Sequence, residues 1–340
     1  MPRDPHPILI YRLGSLGDTL VALPCFHAIA QAHPNAERVV LTNVPVNSKA
    51  APLSAILGGS ELIHRTLAYP VGTRSLSALW ALRSELRALG ADTVYYLTPA
   101  RGLAAAWRDW LFFKCCGLRH IVGAPLTPAL QANAPREGQA IEPEAERLAR
   151  CLQRLGAIDL HDRRTWDLRL TRAEQARAQA LLGPAATHRL LAINMGGKVA
   201  INDWGMDHWL PLLRRVSAHA PDLALLVVGG PEDGARARQV AEVWTGPVID
   251  ACGQLSPRES AAALAHAQLF IGHDSGPMHL AAAMGVPCIG LFGPNNPPGK
   301  WHPYGPGHCP LHDMRGVQHI TVDEVLAPAQ RMLSSPRAAA

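Results

Sequence analysis

Residues 269–297, LFIGHDSGPMHLAAAMGVPCIGLFGPNNP, constrain the fold more than any other stretch of the chain. A short apolar run enters an acidic turn, a Gly-Pro pair and an Ala-rich helical segment. Gly285 then stops the helix, and a second apolar run ends in another Gly-Pro loop. Strand, helix and strand in that order form the repeating unit of a parallel sheet wrapped by helices. The same alternation runs through the rest of the chain. In the first half it predicts strands at 8–12, 38–42, 93–97 and near 120–122, with helices at 20–32 and 75–89, the latter stopped by Gly90. Residues 123–169 mix Pro, Ala, Arg and Glu, with one helix at 143–155. A second cycle places strands at 190–194, 224–228, 248–250, 269–272 and 287–292. Helices are expected at 209–219, 234–243, 256–266, 277–284 and 322–333. The chain's 340 residues are long for one core. The predicted domains are therefore 1–170 and 185–320, followed by a C-terminal helix and tail at 321–340.

Composition fits a folded enzyme. Hydrophobic residues make up 48% and charged residues 17%, enough apolar surface to offset chain entropy. Lys and Arg exceed Asp and Glu by 32 to 27, a lean toward anionic ligands or surfaces that falls far short of a nucleic-acid arm. Seven scattered cysteines without C-x-x-C spacing suggest neither a disulfide frame nor a zinc site and fit a reducing cytoplasm; Cys115 and Cys116 are expected to be buried thiols. The apolar run at 8–13 is too short for a secretory core, and no stretch of eighteen apolar residues predicts a membrane span.

Two turns carry the chemistry. In ILIYRLGSLGDTLVALP (8–24) a strand meets Gly14-x-x-Gly17 and then a helix whose first turn holds Asp18 and Thr19. Such a turn exposes backbone N–H groups at a helix start and lets a ligand approach the main chain. It serves equally well as a plain connection with Asp18 as a cap, and its glycines do not spell G-x-G-x-x-G. The second turn, His273-Asp274-Ser275-Gly276-Pro277, sets several backbone donors at the start of the helix at 277–284, where the dipole favours a diphosphate. Asp274 there suits sugar hydroxyls better than phosphate, and it can cap the helix as well.

With both turns in view, the chain resembles glycosyltransferase family 9, the ADP-heptose-dependent lipopolysaccharide heptosyltransferases and their relatives. R-L-G-S-L-G-D-x-L-x-A-L-P is similar to that family's N-terminal motif, and D-S-G-P-M-H-L-A-A-A-M-G-V-P to its D-[ST]-G-x-x-H-x-A-A motif. Residues 92–123 resemble its strand, turn, helix and Arg-Ile-Gly return, and LLVVGGPEDGARA its nucleotide-side segment. The resemblance implies an α/β GT-B architecture: two Rossmann-like domains facing each other across a cleft, the first for the acceptor and the second for the nucleotide sugar. It makes Asp18 the general base, with Gly14, Ser15, Gly17 and Arg101 on the acceptor side. Asp274 would contact donor-sugar hydroxyls, Ser275, Gly276, Pro277 and His279 would cradle the diphosphate, and Glu232 would face the ribose.

The implied reaction is an inverting transfer of a sugar, heptose from ADP-heptose, to a hydroxyl of a lipopolysaccharide-core or other glycan or glycolipid acceptor. It needs no metal and no cofactor beyond the nucleotide-sugar co-substrate, since the chain has no Asp-x-Asp pair. Cytoplasmic location follows, with peripheral contact to the inner membrane and no nucleic-acid partner. One departure stands out. Where the family commonly carries a lysine before Trp-Pro, this chain has Asn202-Asp203-Trp204-Gly205. Lys198, a few residues earlier, either reaches the phosphates in its place or is a solvated loop lysine.

Other features read as structural. His302, His308, His312 and His319 lack metal-ligand spacing. The run Trp107-x-x-Trp110-Leu111-Phe112-Phe113-Lys114, flanked by Arg101, Arg108 and Arg119, fits either a membrane surface or a core helix, with positions 107, 111 and 114–115 pointing one way and predicted to face the core. No G-x-S-x-G elbow supports a serine hydrolase. Two rivals remain on the same architecture: a nucleotide-sugar epimerase or hydrolase acting without an acceptor, and a non-catalytic nucleotide-sugar-binding protein.

Overall fold

The structure is a computed structural model that describes residues 6–44, 51–73, 75–197 and 200–334. The chain divides into two compact units, Met1–Arg169 and Leu170–Ala340.

The first unit runs β1 (Ile8–Tyr11), α1 (Leu16–Val21), α2 (Leu23–Ala32), β2 (Arg38–Val44), α3 (Ser54–Leu57), β3 (Arg65–Pro70), α4 (Leu76–Leu89), β4 (Thr93–Tyr96), α5 (Leu103–Cys115), β5 (His120–Val122), α6 (Pro128–Gln131) and α7 (Glu144–Cys151). Its five strands pair in parallel in the order β3-β2-β1-β4-β5. Both faces of the central strands are buried, as helices on each side of a parallel sheet require. One set, Leu9, Tyr11, Val39, Leu41, Val94 and Tyr96, shares a core with Leu82 and Leu86 of α4 and Phe113 of α5. The alternate residues Ile8, Ile10 and Val40 are buried as well.

The second unit runs α8 (Arg172–Leu182), β6 (Arg189–Asn194), α9 (Met206–His219), β7 (Leu223–Val227), α10 (Gly234–Ala241), β8 (Val248–Asp250), α11 (Pro257–Leu264), β9 (Leu269–His273), α12 (Gly276–Ala283), β10 (Cys288–Phe292), β11 (Cys309–His312) and α13 (Val322–Ser334). Six parallel strands lie in the order β11-β10-β9-β6-β7-β8. Helix α13 belongs to this unit: Val325, Ala329 and Leu333 enter its core beside Leu212, Val216 and Trp209 of α9. Losing a buried indole such as Trp209 would cost about 3–5 kcal/mol.

Several expectations change. The single helix at 20–32 is two helices, with α1 starting at Leu16. Pro24 has no N–H to continue the ladder through Ala22, so α2 restarts there. Two edge strands, β3 and β11, were not foreseen. Both contain proline, Pro70 and Pro310, which disguises a strand and is tolerated at a sheet edge. Helix α8 was also missed, although Thr171-x-x-Glu174 spells its capping box. The helix around Trp107 is real, but its orientation is reversed. Trp107, Leu111, Lys114 and Cys115 point outward, while Ala106, Asp109 and Phe113 face the sheet. Cys115 is therefore exposed; Cys116 is buried as expected. No helix among the described residues is long and apolar enough to cross a membrane.

Candidate functional site

In the first unit, the candidate residues gather where β1 and β4, neighbours in the sheet, release their carboxyl ends. Arg12 follows β1 and is fully buried. Its guanidinium donates to the carbonyls of Leu97 and Asp18, so it ties the end of β4 to the first turn of α1. Burial pushes its pKa down, while the carboxylates of Asp18 and Glu144 favour the charged form. A guanidinium stays protonated in any case. Sequence reasoning passed over Arg12, although an arginine ending an apolar strand signals a charge carried into the core.

Asp18 is the third residue of α1, and Ser15 is its N-cap. Its Oδ2 accepts from the Ser15 amide at 2.7 Å and from the Ser15 hydroxyl at 2.9 Å. Oδ1 accepts nothing from the described residues, so the carboxylate caps the helix and still has one oxygen to offer. This geometry explains Gly14. Its φ is +115°, and a Cβ there would lie 2.6 Å from the Asp18 Cγ. Gly17, by contrast, is an ordinary residue inside α1.

Arg101 lies just beyond β4. It pairs with the buried Asp109 and donates to the Tyr96 hydroxyl at 3.1 Å and the Tyr11 hydroxyl at 3.4 Å. The Tyr11 hydroxyl in turn lies 3.0 Å from that of Tyr69. Burial raises the Tyr11 pKa, so this phenol stays neutral. Arg101 is thus fixed by its own domain and held at the edge that carries Asp18.

In the second unit, the loops after β6, β7, β9 and β10 lie at the carboxyl ends of adjacent strands. The cap of α12 is Ser275 and not Asp274. The Ser275 hydroxyl turns to Asn194 Oδ1 at 3.0 Å and makes no cap hydrogen bond, and Pro277 opens the helix. The start of α12, with Gly276, therefore lacks a capping side chain. The Asp274 amide is spent on the Leu291 carbonyl at 3.1 Å, and its Oδ2 accepts from Asn296 at 3.3 Å. His279, in the first turn, is nearly buried beside the Trp301 ring, and Lys300 Nζ lies 5.8 Å from that ring's centroid. Lys300, which the sequence reading did not single out, supplies a cation on the loop after β10.

Behind this turn, His273 is fully buried. The Trp204 amide donates to its Nε2 at 3.1 Å, which puts the ring proton on Nδ1. Burial pushes its pKa down to about 4 against the pull of Asp203. Asp203, at the departure from the family pattern, pairs with Arg236 of α10, which also donates to the Met195 carbonyl at 2.9 Å. Burial opposes ionisation of Asp203, but the Arg236 hydrogen bonds outweigh it and hold its pKa below the usual range.

Glu232 is exposed, with its carboxylate folded toward Gly230: a Cβ on that glycine would meet Oε2 at 2.4 Å. The neighbouring Asp233 is buried and was not foreseen. It accepts from the Gly230 amide at 3.0 Å. Its Oδ1 would be 2.3 Å from a Cβ on Gly196 and its Oδ2 2.4 Å from one on Gly229. It thereby locks the loops after β6 and β7 together, and the glycines clustered around it were the available signal. Lys198 lies outside the described residues. His302 and His312, distant in sequence, meet at 3.0 Å over Phe292, and burial and His312 push the His302 pKa down to about 4.

Two parallel sheets, each with a glycine-opened turn at its carboxyl edge, define an α/β protein of the GT-B type. Similar solved structures agree. The glycosyl transferase family 9 protein from Veillonella parvula DSM 2008 matches with a TM-score of 0.72 at 22% identity, over 98% of this chain and 99% of that one. The E. coli heptosyltransferase WaaC, solved with ADP-2-deoxy-2-fluoro heptose, matches with 0.63 at 18%, over 96% and 99%. UDP-GlcNAc 2-epimerase from Methanocaldococcus jannaschii shares the fold too, with 0.57 at 15%, over 97% and 94%.

Among curated proteins, a lipopolysaccharide heptosyltransferase 3 of Escherichia coli is 41% identical, but over only 22% of this chain and 23% of its own length. The K12 strain's protein of that name is 24% identical over 82% of this chain and 79% of its own length. Residues 80–312 match glycosyltransferase family 9 (heptosyltransferase). The chain belongs to that family and is a glycosyltransferase. The matched region contains the second turn; Asp18 and the first turn lie ahead of it.

Proposed function

We propose that the protein transfers heptose from ADP-heptose, with inversion and without a metal, to a hydroxyl of a lipopolysaccharide-core or related glycan acceptor. The observation that carries this reading is the Asp18 carboxylate, fixed through Oδ2 by Ser15 while Oδ1 is open to another donor. In the proposed reaction the acceptor oxygen attacks C1 of the sugar as its proton passes to Asp18, and the bond from C1 to the diphosphate oxygen breaks on the opposite face. The departing diphosphate takes up the negative charge. The uncapped amides of α12, with His279 and Lys300, suit that charge, as fixed donors in a water-poor site stabilise a leaving group. Asp274 would hold sugar hydroxyls, and Glu232 the ribose. Arg101, Gly14, Ser15 and Gly17 form the acceptor side of the proposed cleft.

The donor assignment draws on the heptose ligand of the WaaC structure and on the names of the curated relatives. Such an acceptor would place the enzyme in the cytoplasm at the inner membrane. Asp18→Asn tests the reading. Transfer should fall by a factor of about 10² to 10⁴, with the thermal shift produced by ADP unchanged. Near-normal turnover would remove Asp18 from the chemistry. ADP release without any acceptor would instead favour a hydrolase, and persistence of activity in chelator is required for the metal-free route.

A further inference from the structure

The first unit carries an apolar surface that its own core does not use. Helices α4 and α5 cover the same face of the sheet, since Leu82, Leu86 and Phe113 enter one core, and Arg83 Nε donates to the Cys115 carbonyl at 3.0 Å between them. Their outer sides carry Leu76 at 80% exposure, Trp80 at 64%, Trp107 at 50% and Leu111 at 59%. Large exposed side chains are ordinary when isolated; here they stand on two adjoining helices.

The polar residues among them are mostly basic. Arg83 lies against the Trp80 ring at 5.0 Å, Arg87 and Arg108 are exposed, and Lys114 Nζ lies 5.4 Å from the Trp110 ring centroid. The two helices hold two carboxylates, Glu85 and Asp109, and Asp109 is buried and shared between Arg101 and Arg108, which leaves Arg83, Arg87 and Lys114 to outnumber Glu85 on the outer side. The outward face thus combines indoles with a clear cationic excess.

We infer that this α4–α5 face is a docking surface for an anionic lipid bilayer. Tryptophan favours the headgroup boundary, where its ring is half apolar, and lysine and arginine are drawn to the negative surface potential. A second copy of the chain fits less well, because a two-fold contact through this patch would press Arg83, Arg87, Arg108 and Lys114 against their own equivalents. The inference rests on the surface and not on Asp18 or the identity of the donor, and it identifies the face that would meet a membrane-borne acceptor.

Co-sedimentation of the full-length protein with vesicles of phosphatidylcholine, with and without phosphatidylglycerol, tests it. The protein should partition onto the anionic vesicles only, and added salt should weaken this. Trp80→Ser/Trp107→Ser/Leu111→Ser should lower that partition about tenfold or more, and Arg87→Glu/Lys114→Glu should do the same. Both variants should keep the parent melting temperature and ADP-induced shift, so a folding defect or a failed donor assignment would register separately. Absence of binding to anionic vesicles overturns the inference, as does equal binding by the triple variant. A wild-type dimer that the triple variant dissociates would also overturn it and assign the face to another copy of the chain.

Discussion

The two glycine-opened turns are built on opposite plans. In the first, the acid enters the helix: Asp18 is the third residue of α1 and takes the Ser15 amide for itself. In the second, the acid stays outside. Asp274 precedes the cap, its amide joins the sheet, and the cap hydroxyl turns away to Asn194. A carboxylate inside the first turn neutralises the helix's positive end and presents an acceptor. A helix start without a capping side chain keeps that positive end for an anion. One strand-turn-helix pattern therefore yields a candidate base in one unit and a candidate diphosphate seat in the other.

Their supports differ as well. The first turn is held from behind by a buried guanidinium, Arg12, whose charge is permanent. The second is held by a buried neutral imidazole, His273.

The sharpest way to break the contrast is Gly14→Ala. The residue sits at φ +115° and its Cβ would collide with Asp18, so the carboxylate must shift. Transfer should drop about a hundredfold, while the ADP-induced thermal shift, assigned to the second unit in the proposed reaction, persists. Unchanged kcat would mean that the position of Asp18 is not critical.

Next comes pH. The folded pKa of His273 lies near 4, below the unfolded value near 6.5. The unfolded chain therefore binds the extra proton first. The stability that His273 contributes is complete above about pH 6.5 and is lost as pH falls toward 4, on the order of 3 kcal/mol. His273→Gln, which can still accept from the Trp204 amide, should flatten the fall in melting temperature across that window. A wild-type melting temperature that stays level between those pH values would contradict the proposed burial. Arg12 adds no such titration to the first unit.

The smallest effect is expected from Asp233→Ala, which leaves the Gly230 amide without its acceptor and a gap among three glycines. It should cost about 1–3 kcal/mol in denaturant unfolding and weaken ADP binding, with Asp18 chemistry at saturating donor unaffected. A variant that binds ADP as tightly as the parent would show that the lock between the β6 and β7 loops is not needed for the donor.

Legibility followed periodicity. Central strands such as 38–42 and 93–97 were readable because they are buried between helices and their apolar runs are continuous. The edge strands β3 and β11 were not, because each contains a proline and is less deeply buried. The helix at Trp107 was readable as a helix, but which side faces the sheet was not. Ala106, Asp109 and Phe113 make a mixed inner stripe, while the outer one holds the larger apolar residues. Hydrophobicity alone pointed the wrong way.

By itself, the sequence determined two cycles of parallel α/β structure and the placement of Asp18 and Asp274 in glycine-opened turns, since strand period, helix period and glycine spacing are local properties. Only the tertiary structure decided that Asp18 is clamped by Ser15 and forces a glycine at 14, that Asp233 and not Glu232 locks the loops after β6 and β7 together, and that Trp80 and Trp107 stand on the outer sides of adjoining helices. Those facts depend on which atoms meet across many residues, and pairings of that kind leave no period in the chain.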